Sequence, residues 1–140
     1  MNPDATLINV LGLVLTCLLV LSPLAVHEIG HWAVLKRYDV PVGQYWLGMG
    51  PAILRLGSFR MGMLPIGGAV VPQPQAYARL LPMQRVAVAL AGPLISLIHA
   101  LALYAAYLWL PEKHAWTALP TLAGLSAFLA VVNLMPVPPL

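Results

Sequence analysis

Charge is what this chain lacks most. Seven Lys and Arg and four Asp and Glu are spread over 140 residues, 8% charged against 61% hydrophobic, where a soluble domain carries about a quarter charged residues. Too few charges are present to cover a surface facing water on all sides, which excludes a conventional soluble domain. Cysteine is nearly absent as well. Cys17 stands alone in an apolar run, which excludes an internal disulfide and a metal site built from cysteine alone. The net charge of +3 comes without a basic patch interleaved with aromatics; a nucleic-acid partner is therefore excluded. The basic residues are read as membrane topology instead. No internal repeat divides the chain, so residues 1–140 read as a single membrane-embedded unit whose first partner is the lipid bilayer.

Three long apolar runs are present, at about 6–34, 84–110 and 116–135. The first has no basic region before it and no small-residue cleavage site after it, so it reads as a retained span rather than a removable signal. Pro23 is the expected place for a kink, because it has no amide to give the helix ladder. Between the first two runs the pattern changes: repeated Gly and Pro from Pro41 to Pro74 forbid a long helix. Two short apolar stretches, Ala52 to Leu56 and Phe59 to Leu64, flank Gly57-Ser58 and predict a hairpin within a region of about 48–72. The expected fold is an all-α transmembrane core of three helices, with a membrane-associated β-hairpin between helices 1 and 2. Lys36, Arg37, Arg55, Arg60, Arg79 and Arg85 fall between those helices and Lys113 on the other side. That asymmetry predicts a cytoplasmic hairpin and an N-terminus outside.

Within the first apolar run, His27-Glu28-Ile29-Gly30-His31 fits H-E-x-x-H. Residues four apart on a helix are about 40° apart around its axis, so both imidazoles reach one ion with Glu28 beside them. Neutral imidazoles suit zinc, and a neighbouring carboxylate can take the proton of a water attacking a peptide carbonyl. Three ionisable groups at lipid depth are costly unless they pair, bind metal or line a wet cavity. Gly30 allows close approach of another helix or of the hairpin, or serves plain packing. Two histidines leave zinc one protein ligand short of the usual catalytic set. Asp4, Asp39, Glu112, His99 and His114 are poorly sited to supply it, and Asp39 reads better as the end of the first helix.

With these residues in view, the chain resembles the site-2 protease family of intramembrane zinc metalloproteases. The resemblance rests on HEIGH at 27–31, Pro65-Ile66-Gly67-Gly68-Ala69-Val70, Ala91-Gly92-Pro93, and Asn133-Leu134-Met135-Pro136-Val137-Pro138-Pro139-Leu140, in that order. It implies one zinc ion per active site, held by His27 and His31, with Glu28 as the catalytic base. In the family the aspartate just after the last motif is the third ligand, so the chain reads as truncated immediately before it. Ser96 stands where members of the family often have asparagine, and its hydroxyl could still hydrogen-bond across a helix.

The resemblance further implies an intramembrane endopeptidase that cleaves transmembrane or signal-peptide-like segments in regulated proteolysis, in a bacterial or archaeal cell membrane with the site toward the cytoplasm. The alternative is an inactive, truncated or degenerate member that binds membrane segments or metal without cutting. Asn133 is expected to contact substrate or an oxyanion, or else to cap a helix end. Gly67 and Gly68 are expected to close the hairpin near the site, its edge pairing with an unwound substrate. Pro136 and Pro138 would unwind the chain toward the site.

Overall fold

The computed structural model describes residues 3–111 and 117–135. Its elements run α1 (Pro3–Arg37), β1 (Val42–Leu56), β2 (Phe59–Pro72), α2 (Pro74–Ala78), α3 (Pro82–Trp109) and α4 (Ala118–Leu134). Glu112, Lys113 and His114 lie outside the described residues, as do Pro136 and Pro138.

α1 continues through Pro23 and ends at Arg37, six residues after the histidine motif. Its stop is local chemistry. Asp39 takes a left-handed conformation (φ 54°), and the Val40 amide reaches back to the Leu35 carbonyl at 2.9 Å, a Schellman-type closure that satisfies carbonyls the helix leaves open. α3 opens on Pro82, whose missing amide costs nothing in a first turn, and the Leu81 amide donates to Gln84 Oε1 at 2.9 Å. α2 is a single turn that the glycine and proline pattern did not predict. Arg85 ties it to α3 by donating to the carbonyls of Ala78 at 2.7 Å and Leu80 at 3.1 Å.

Asn9–Arg37 and Pro82–Trp109 are long and apolar enough to cross a bilayer. Their outer faces carry exposed Leu11, Leu15, Leu18, Leu94, Leu97 and Leu101, an apolar surface far beyond what a soluble monomer leaves uncovered. Two helices able to span a bilayer, with this much exposed apolar surface, support membrane association of the chain. α4 is apolar but has 17 residues, about 25 Å at helical rise, short of a roughly 30 Å hydrocarbon slab. The expected third span is matched by an apolar helix that falls below the length the other two reach.

The hairpin is larger than the 48–72 region predicted. β1 begins at Val42, because Tyr45, Trp46 and Leu47 pair with Val70, Ala69 and Gly68, a long-range partnership invisible in a local scan. The same three residues also partner Phe59, Arg60 and Met61, so the hairpin curls and covers both edges of β1 there. Gly48 takes φ +82° where the strand bends, a conformation that bulky residues resist. Both edges of Tyr45–Leu47 are thus used internally, while Gly68–Pro72 of β2 pairs on the β1 side.

Where α1 leaves the bundle, Leu35, Val40, Leu80 and Val88 are buried together, with Tyr38, Val70 and Tyr77 against them. This cluster joins the end of α1 to the hairpin, α2 and α3. Truncating Leu35, 1% exposed, to alanine should cost about 2–5 kcal/mol. Leu15→Ala, on the uncovered face of α1, should cost far less. Thermal unfolding of both variants in detergent checks this; equal losses would mean that the cluster does not hold the fold.

Candidate metal centre

His27 and His31 stand one turn apart on α1, on the side facing α3. The packing there is close because Gly30 has no side chain: a Cβ would come within 2.5 Å of the Ile95 side chain and 2.6 Å of the Ala91 carbonyl oxygen. The approach partner of Gly30 is therefore α3. It brings both imidazoles against one stripe of that helix, Val88, Gly92 and Ser96, spaced four residues apart.

Each ring is held by its Nδ1. His31 Nδ1 lies 2.7 Å from the Val88 carbonyl oxygen. A carbonyl only accepts, so this nitrogen carries the proton, and Nε2 of the neutral ring presents its lone pair. His27 Nδ1 lies 2.9 Å from Ser96 Oγ, with His27 2% exposed and Ser96 fully buried. A hydroxyl can accept as well as donate, so Ser96 permits His27 to turn its own Nε2 lone pair outward too.

The two Nε2 atoms are 3.2 Å apart. Two nitrogens bound to one tetrahedral zinc at about 2.0–2.1 Å would stand about 3.3 Å apart, so the pair is spaced for a shared ion. Gly92 keeps the space beside them clear: a Cβ there would sit 2.7 Å from His27 Nε2 and closer still to His31 Nε2. The donor set is right for zinc in kind, two imidazoles each oriented by an outer hydrogen bond, and incomplete in number. Among the described residues no group of three His, Cys, Asp or Glu side chains could hold a metal ion.

Asp39 lies in the turn that ends α1, and His99 is engaged with Ser126 on α4 at 2.9 Å, so neither completes the set. Glu112 and His114 fall outside the described residues.

Glu28 points toward β2. A Cβ on Gly68 would meet its Cγ and Oε1 at 3.1 Å, so the absence of a side chain at 68 is what lets the carboxylate lie against the strand. Neighbouring Gly67 turns with φ +73° beside Met49. A cavity of about 410 Å³ gathers His27, Glu28, His31, Gly68, Val70 and Asn133. Asn133 reaches it from the last turn of α4, with Nδ2 donating to the Leu129 carbonyl at 2.8 Å. Glu28 also borders a second, strongly apolar cavity of about 420 Å³ beside Trp32, Tyr45 and Trp46.

Gly92 and Val88 escaped the sequence reading as site residues, and Ser96 was noted without a partner. The available signal was the four-residue spacing of 88, 92 and 96 beside two histidines four apart, which gains meaning only once α1 and α3 are known to pack face to face.

The model of peptidase family M50 matches residues 15–120. A Clostridium acetobutylicum protein named as a candidate zinc metalloprotease is 31% identical over 114 residues, 73% of this chain and 32% of the relative. Zinc metalloprotease Rip1 of Mycolicibacterium smegmatis is 32% identical over 128 residues, 74% of this chain and 32% of its own. Rip1 of Mycobacterium tuberculosis is 34% identical over 125 residues, covering 75% and 31%. The chain spans about a third of the length of these relatives.

Gly92→Ala should abolish zinc retention by the purified protein, since its methyl would occupy the space beside both Nε2 atoms. Gly124→Ala, where a Cβ meets nothing within 4 Å, should leave it unchanged. Metal content per folded chain checks both, and retention by Gly92→Ala would mean that the ion does not use this pair.

Proposed function

The chain belongs to peptidase family M50, and on that premise we propose that it forms the metal-holding and substrate-receiving core of a membrane-embedded zinc metalloprotease of the site-2 protease type. The observation that carries the reading is the pair of Nε2 atoms 3.2 Å apart, inside an apolar helix where unpaired ionisable groups are costly. With two protein ligands among the described residues, the reading favoured for the chain as it stands is binding without cutting: His27 and His31 take up zinc, and an extended membrane segment docks beside them.

The segment would lie along β2 at Gly68–Pro72, the strand that lines the cavity with Glu28. A melted transmembrane helix needs backbone partners, and a strand offers them. Gly68 lets that strand approach the carboxylate, and Gly67 turns the chain beside it. We assign the third span to α4; the excess of Lys and Arg between α1 and α3 supports a site toward the cytoplasm, and the bacterial relatives support a bacterial or archaeal cell membrane.

Peptide cleavage is a second reading, favoured by the position of Glu28 against the strand and beside both histidines. Zinc held there would supply Lewis acidity to a substrate carbonyl and to an adjacent water. Glu28 would take the proton of the attacking water and return it to the leaving amine. Asn133, with one Nδ2 hydrogen committed to Leu129, would offer the other to the substrate carbonyl as negative charge develops on its oxygen.

Zinc content and cleavage of a fluorogenic transmembrane peptide, measured on the 140-residue protein in detergent, separate the readings. Expected are bound zinc that His27→Ala loses and Glu28→Gln keeps, and no cleavage. A folded protein that takes up no zinc would overturn the binding reading; cleavage that Glu28→Gln abolishes would establish the second.

A further inference from the structure

His99 and Ser126 form a polar contact that the metal centre does not use. His99 Nδ1 lies 2.9 Å from Ser126 Oγ, between two apolar helices, and Ser126 is fully buried. An ionisable side chain within a span is costly to keep unless it has a task. Apolar helices in lipid have little to fix how far one slides along the other, because lipid tails and leucine are equally apolar. α4 has almost nothing else polar to offer: Thr121 donates to the Thr117 carbonyl and Asn133 to that of Leu129, both within their own segment. Among the described side-chain hydrogen bonds, the one between His99 and Ser126 is what joins α3 to α4.

Its position along both helices is informative. His99 lies seven residues after Gly92, and Asn133 seven after Ser126. Seven residues are about 10.5 Å and nearly two full turns, so in a helix pair joined head to tail the two offsets match in height and in face. Pinning 99 to 126 therefore brings 133 level with 92, where the imidazoles meet. The cavity agrees, since Asn133 lines it together with Val88, Ala89 and His31. A slip of one turn would move Asn133 by about 5.4 Å and take it out of the site.

We propose that the His99–Ser126 hydrogen bond is a register pin: it sets the height of α4 against α3 and so delivers Asn133 to the imidazole pair. Both are positioning residues, and the purpose of the pin rests on the metal-centre reading while the register itself does not. The test therefore reads register without metal or turnover. In a Cys17→Ser background, Ala89→Cys is combined with Asn133→Cys, or one turn away with Leu129→Cys, and each pair is cross-linked in detergent with a short bis-thiosulfonate. A Leu54→Cys and Met61→Cys pair, partnered in the hairpin, reports folding separately.

The 89–133 link should dominate. His99→Leu and Ser126→Ala should each lower the ratio of 89–133 to 89–129 product by about threefold to tenfold, and Ser126→Thr, which keeps the hydroxyl, should preserve it. An unchanged ratio in both polar-to-apolar variants overturns the pin. Loss of the hairpin link in those variants overturns it as well, because the contact would then be a requirement of the whole fold. Failure of zinc uptake with the ratio behaving as expected would refute the metal-centre reading alone.

Discussion

Two hydrogen bonds hold the imidazoles of α1 against α3, from His31 Nδ1 to the Val88 carbonyl and between His27 Nδ1 and Ser96, and the rest of the arrangement depends on them. Histidine rings on an isolated helix would turn freely about their side-chain bonds. Fixing each ring by one nitrogen aims the other, and because the anchors lie one helix turn before and one after Gly92, both Nε2 atoms converge on one point. The close approach this requires is possible only where Gly30 faces Ala91 and where Gly92 faces the rings. Small residues at the contact and polar atoms across it are the usual means of helix association in lipid; here the same means also orient candidate ligands.

The hairpin satisfies its own amides and carbonyls by curling until Tyr45, Trp46 and Leu47 have partners on both sides, as strand placed at membrane depth would have to. That leaves β2, through Gly68, as the strand beside Glu28. The carboxylate thus lies between an α1–α3 contact that orients the histidines and strand β2 at Gly68, with an apolar cavity on its other side. Helix α4 packs on α3, joined to it by the His99–Ser126 hydrogen bond that fixes its height.

Much of this was legible residue by residue. The scarcity of charge required lipid, the H-E-x-x-H spacing put two imidazoles on one helix face, and the Gly57-Ser58 turn marked the hairpin tip. Asp39 was read as the end of the first helix and adopts the left-handed cap there. Other features were illegible for a physical reason. The extension of β1 back to Val42 depends on partners some twenty-five residues away, and the length of α4 falls below the span suggested by the apolar run that contains it.

Sequence by itself determined the solvent, the helix periodicity and which side chains could meet a metal, because these follow from composition and from spacing within one segment. Tertiary structure alone decided which segments touch. Val88, Gly92 and Ser96 are unremarkable along α3, and His99 and Ser126 look like isolated polar residues in apolar helices. Each acquires its role from a partner on another helix, where a separation of about 3 Å is set by packing between segments and leaves no mark within either one.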